Sequence, residues 1–185
     1  GNFNLQNYET FYPLNSIEPS ANIRIICLAK LDSRELKFRL REDLMSKEIP
    51  SIWVECRATD DTKYLIGGWY REWNSAGDES IDGQVKRVTE MSNQIRRACD
   101  ECSRVVVTGD VNLCQTKWKN DDYRYKGVAN VLFSTIDTCG LQVADTGYTY
   151  HADNPDKNGV YAKSIIDHAY TSEKCDIASI TNLHN

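Results

Sequence analysis

The feature that most constrains this chain is the passage from residue 82 to residue 112. Val85, Val88, Met91, Ile95 and Ala98 recur at spacings of three and four, with Lys, Arg, Glu and Gln between them. That pattern predicts an amphipathic helix over 82–102. Directly after it comes Arg104-Val105-Val106-Val107-Thr108, a continuous apolar run of the kind found in strands covered on both faces. A long helix feeding a buried strand requires a sheet with helices packed on it.

Further segments extend the same reading. Strands are expected at 23–29, 51–56, 64–70 and 164–170, and Asp60-Asp61-Thr62 is a turn signal that joins the second and third into a hairpin. A second helix is expected at 125–139, where Val128, Val131, Leu132, Thr135 and Ile136 share a face and Gly140 stands as a stop. The result is a mixed α/β domain. No repeat, low-complexity tract or linker divides the 185 residues, so one domain over 1–185 is expected, with enough chain to bury a core.

No apolar run approaches the roughly 20 residues of a membrane helix. The N-terminus lacks both an initiating Met and the features of a signal peptide, so a fragment, a processed product or an expression product is expected. A net charge of −5 argues against a protein that holds nucleic acid by bulk electrostatics. It leaves room for an enzyme that meets phosphate locally through a bound cation. Seven scattered cysteines, an odd number, fit small buried hydrophobes in a reducing compartment. Cys99 and Cys102 form a CxxC, but no second CxxC or His pair accompanies it at zinc spacing.

Three constellations could carry chemistry. Gly109-Asp110-Val111-Asn112 follows the valine strand, at the strand end where α/β folds expose polar groups. A carboxylate beside a carboxamide can hold a hard cation or orient a water, although Gly-Asp-x-Asn is also ordinary turn chemistry. Gly67-Gly68-Trp69-Tyr70-Arg71-Glu72-Trp73 runs a strand into an aromatic and charged cluster. Tyr70 or Arg71 could reach a phosphate oxygen there, or the cluster could be a half-buried strand end with solvated charges. Ile165-Ile166-Asp167-His168 ends an apolar run with an ionisable pair. Asp167 could bind a metal or simply cap a turn, and alternation aims His168 at the opposite face.

In order and spacing, these elements resemble the endonuclease/exonuclease/phosphatase superfamily, and in particular the endonucleases of non-LTR, LINE-type retrotransposons. Ser51-Ile52-Trp53-Val54-Glu55, the Gly-Gly-Trp-Tyr-Arg-Glu run, Gly109-Asp110-Val111-Asn112, Asp145-Thr146-Gly147-Tyr148-Thr149-Tyr150 and Ile166-Asp167-His168-Ala169-Tyr170 all look like family counterparts. The resemblance covers roughly residues 8–185. It implies a four-layer α/β sandwich, two packed mixed β-sheets flanked by helices, incomplete at its N- and C-terminal edges.

The resemblance also implies roles. Tyr70 would contact the scissile phosphate, with Arg71 and Thr149 as further substrate contacts. Asp110 would position or deprotonate the attacking water, and Asn112 would orient it. Asp110, Asn112 and Asp167 would hold Mg²⁺ or Mn²⁺ for in-line hydrolysis of a phosphodiester. DNA would be the substrate, and a reverse transcriptase domain of the same polyprotein the partner. No membrane association is implied, and residence would be intracellular and nuclear.

Two parts of the family pattern are missing from the chain: the strands bearing an Asn and the main metal-ligand Glu, and the closing Ser-Asp-His. Glu9 and Glu18 are weak substitutes for that Glu, and His184 lacks the preceding Ser-Asp. A cation held by few carboxylates binds weakly, and losing one charged donor costs roughly 10² to 10³ in rate. The fragment is therefore expected to be inactive or weakly active. Exposed sheet edges are expected to invite homodimerisation. Two alternatives stand beside the nuclease: a phosphatase acting on a lipid or nucleotide, and a domesticated binding or assembly module that has lost catalysis.

Overall fold

The computed structural model describes residues 5–14, 23–31, 35–72 and 80–175. Its elements run β1 (Tyr8–Phe11), β2 (Cys27–Lys30), β3 (Leu36–Leu40), β4 (Ser51–Ala58), β5 (Lys63–Tyr70), α1 (Ile81–Glu101), β6 (Val105–Asp110), α2 (Lys126–Thr138), β7 (Leu141–Val143), β8 (Tyr150–Pro155), β9 (Tyr161–Ser164) and β10 (Asp167–Ser172). Six strands form one mixed sheet in the order β3-β4-β5-β6-β10-β7. The β5–β6 pair is parallel, with α1 as its crossover, and the other pairs of this sheet are antiparallel. Two small antiparallel sheets, β1–β2 and β8–β9, complete the described strands.

Two adjacent glycines separate the faces of the large sheet. Gly67 pairs with Trp53 across β4 and β5, and the indole ring fills the space beside it, 2.8 Å from where a Cβ would stand. That indole donates through Nε1 to Gln94 Oε1 of α1 at 3.0 Å, which marks the helical face. Gly68 pairs with Ile52 and faces the other way, where Ile25, on the approach to β2, fills the gap. The expected α/β class is present: helices lie on one face of a large mixed sheet, and a smaller sheet accompanies it.

The helical stripe packs as its spacing predicts. Val88, Met91, Ile95 and Ala98 of α1 are fully buried, as are Val128 and Leu132 of α2. They meet Val105 and Val107 of β6 and Leu65 of β5 in one core. Ser80 caps α1 by accepting from the Gly83 amide at 3.0 Å.

Two expected strands differ in extent. Of the 23–29 segment only residues 27–29 pair, within β2, which runs on to Lys30. The last strand starts at Asp167 instead of residue 164, because the Ile165 and Ile166 carbonyls accept from the Gln115 and Val111 amides. Those two residues therefore hold the loop after β6. Trp73, Glu18 and His184 lie outside the described residues.

Candidate functional site

Asp110 is the last residue of β6, and its two register neighbours are both polar. Tyr70 ends the parallel strand β5 beside it, and Asp167 begins the antiparallel strand β10 on its other side. Register neighbours project to the same face of a sheet. The intervening positions carry His168 and, next along β10, Tyr170, whose rings meet Phe133 of α2 at 6.0 and 6.4 Å. Tyr70, Asp110 and Asp167 therefore share the face opposite the helices, at one end of the sheet.

The loop that follows is fixed through its main chain. Gly109 has φ +152°, and a Cβ there would fall 1.7 Å from the Trp69 carbonyl oxygen, so glycine alone fits. Asn112 has φ +50°; its amide donates to Asp110 Oδ1 at 3.0 Å and its side-chain Nδ2 donates to the Arg71 carbonyl at 2.9 Å. The Asp110 carbonyl in turn accepts from the Arg71 amide at 2.8 Å. Asn112 is thus brought against Asp110.

Arg71 occupies a different place from the one expected. It is fully buried, and its guanidinium donates to the carbonyls of Val111 and Asn112, both at 2.5 Å, and to Gln84 Oε1. Burial lowers its pKa to about 10. A guanidinium in this position braces the loop from beneath and does not face solvent. Thr149 also works on the main chain: its hydroxyl oxygen accepts from the Ile166 and Asp167 amides, each at 3.0 Å. Thr146 donates to the Asp167 carbonyl at 3.1 Å, so the start of β10 is held from two sides.

Burial first, and the neighbouring Asp167 carboxylate second, raise the Asp110 pKa to about 6. A carboxyl poised there can take or release a proton near neutral pH. The donor set is two carboxylates in cross-strand register with a carboxamide beside them, which suits a hard, oxygen-seeking cation. Among the described residues, no group of three or more His, Cys, Asp or Glu is placed to share a metal, so Glu9 on β1 does not join the pair.

Beside Asn112 lies a cavity of about 500 Å³, lined by Lys117, Tyr123, Tyr125, Tyr150 and Ile166 among others. Of its three tyrosines only Tyr150 stands in one of the family-like runs of the sequence. The alternation Tyr123-Arg124-Tyr125 was the available signal. The hydroxyl of Tyr123 accepts from the Cys114 amide at 3.0 Å, which ties this wall to the loop after Asn112.

The profile of the endonuclease-reverse transcriptase family matches residues 70–185. No curated protein matches significantly. Among solved structures, the chain is similar to the human nocturnin catalytic domain with bound sulfate anion, at 11% identity and a TM-score of 0.48. It is similar also to a β-hairpin deletion mutant of beta toxin from Staphylococcus aureus, at 14% identity and a TM-score of 0.40. These matches cover 90% and 71% of this chain, but only 61% and 47% of those chains. The family match takes in more than half of the chain and begins at Tyr70, so that Asp110, Asn112 and Asp167 all fall inside it: the chain belongs to the endonuclease-reverse transcriptase family, within the endonuclease/exonuclease/phosphatase superfamily.

Proposed function

We propose that this chain is a DNA-nicking phosphodiesterase module of a retrotransposon polyprotein, working with a reverse transcriptase on the same polypeptide in the nucleus. The single observation that carries the reading is the register Tyr70, Asp110, Asp167 at one end of the sheet. In this scheme Tyr70 contacts the scissile phosphate. Asp110, with its pKa near 6, accepts the proton of the attacking water. Asn112, fixed by Asp110 and by the Arg71 carbonyl, orients that water. Arg71 and Thr149 hold the two carboxylate-bearing backbones at their spacing.

Asp110 and Asp167 would hold Mg²⁺ or Mn²⁺, with Asn112 beside them. When bound, such an ion neutralises charge that develops on the phosphoryl oxygens. Two carboxylates leave most of its coordination to water, so weak binding and slow turnover are expected of these residues alone. The same sparse donor set favours one other reading, a binding or assembly module that no longer turns over. Among the described residues, β3 and β7 are the edges of the large sheet and the surfaces through which two copies would pair.

The test is nicking of supercoiled plasmid with Mn²⁺ or Mg²⁺, comparing the wild type with Asp110→Asn and Asp167→Asn. Slow nicking abolished by both substitutions is the expected result. Saturable DNA binding without any metal-dependent nicking would overturn hydrolysis in favour of the binding module. A mass in light scattering that stays monomeric at all concentrations would remove the dimer.

A further inference from the structure

Arg24 sets its guanidinium carbon 5.6 Å from the centre of the Tyr70 ring. It is exposed and lies in the run 23–26 that leads into β2 without joining the strand. Its place is built by its neighbours. Ile25, the next residue, sits with Cδ1 2.8 Å from the point that a Cβ on Gly68 would occupy. Gly68 lies two residues before Tyr70 on the same strand, so the missing side chain is a notch that seats Ile25 and brings Arg24 over the tyrosine.

The charge of the site explains what such a cation could meet. Asp110 and Asp167 put two carboxylates on the face that Tyr70 shares, and a phosphodiester adds another negative charge. Arg71 does not face solvent: it is fully buried and bonded to Val111, Asn112 and Gln84. A guanidinium lying over an aromatic face keeps its in-plane N–H groups directed outward. That planar fork matches two phosphate oxygens.

We propose that Arg24 is the phosphate-binding arginine of this site, held by the Tyr70 ring and presenting its fork to a phosphodiester of the nucleic-acid strand. The proposal rests on the nuclease reading above and names a substrate contact for it. It separates two uses of arginine within one site: Arg71 beneath the strand ends as a brace, and Arg24 above them as the ligand's partner.

The experiment is fluorescence anisotropy of a labelled DNA duplex with EDTA present, at salt from roughly 50 to 200 mM. The wild type is compared with Arg24→Ala, Arg24→Lys and, as a control for general charge, Lys37→Ala on β3. Arg24→Ala is expected to weaken binding about tenfold or more and to lower the slope of log K against log salt by about one. Arg24→Lys keeps the slope but recovers only part of the affinity, because an ammonium lacks the fork. Unchanged thermal melting of the variants confirms that the exposed side chain is not acting through folding. If Arg24→Ala matches Lys37→Ala, the proposal is overturned while the nuclease reading stands. If the slope falls as expected but the wild type nicks no DNA, Arg24 is supported and the hydrolytic reading fails. A wild type that binds no DNA overturns both.

Discussion

Asp167, the first residue of β10, stands in register with Asp110, the last residue of β6, so two carboxylates occupy one face of the sheet across a single strand pair. Neither is placed there by a helix or by a flexible loop. The backbone of Asp167 is held by Thr146 and Thr149, and the residues after Asp110 are held by Arg71 and Asn112. The arrangement therefore forces two like charges together in a half-buried place. That is unfavourable for the fold and useful for a cation or a proton.

Asp110→Asn separates stability from function. The folded protein holds the Asp110 proton up to about pH 6, whereas an unfolded aspartate releases it near pH 4. Between those values the folded state binds more protons, so stability falls as pH rises through the interval. The asparagine variant should melt above the wild type at pH 7.5 without divalent metal, with the gap closing toward pH 4. Added Mn²⁺ should raise the melting temperature of the wild type only. Differential scanning fluorimetry over a pH series reads all three effects.

Arg71→Lys should act on turnover more than on binding. An ammonium cannot bridge the Val111 and Asn112 carbonyls and Gln84 at once, so the Asp110 to Asn112 loop loosens. If the nicking proposal holds, kcat should fall on the order of tenfold to a hundredfold with KM little changed. Arg71→Ala leaves buried carbonyls without donors and should cost about 3 kcal/mol in urea unfolding. A KM effect with kcat unchanged would return Arg71 to the substrate side.

Two glycine substitutions should differ sharply. Gly109→Ala drives a Cβ into the Trp69 carbonyl at φ +152°, between parallel strands that cannot part locally, and should cost upward of about 3 kcal/mol. Gly140→Ala also sits at positive φ, +63°, but meets nothing within 4 Å, so only about 1 kcal/mol is expected. Equal losses in denaturant titrations would contradict the described strand register.

His168 makes the fold sensitive to acid. It is buried, with Nδ1 2.5 Å from the Tyr170 hydroxyl and Nε2 3.1 Å from the Ile165 carbonyl, and burial holds its pKa below the usual 6.5. The unfolded chain takes up a proton first, so stability is full above pH 6.5 and is lost as pH falls through the folded pKa. His168→Gln should flatten that loss below about pH 6.5, while lowering stability at pH 7.5 by about 1–3 kcal/mol. Parallel acid profiles of the two proteins would rule out His168 as the cause.

Much of this molecule was readable from local pattern. The stripe Val88, Met91, Ile95, Ala98 and the run Val105 to Val107 announced α1 and β6, because a side-chain period of 3.6 or an unbroken apolar run leaves few other ways to bury those groups. Asp60 to Thr62 announced the β4–β5 hairpin. The alternation Leu36-Lys37-Phe38-Arg39-Leu40 is an equally local pattern and marks β3, a strand absent from the four expected ones. β8 and β9 gave little signal, since strands exposed along most of their length need no apolar face.

The sequence by itself determined the two helices, the buried strand and the polar residues at three strand ends, because each depends on neighbours within a few positions along the chain. Tertiary structure alone decided the pairing of Asp110 with both Tyr70 and Asp167, the burial of Arg71 beneath them and the seating of Arg24 above. Those relations join residues 40 to 60 positions apart, and strand order and register, which no local period encodes, set them. Arg71 shows the difference most plainly: its charge reads as a ligand for phosphate, and the fold uses it to hold two carbonyls.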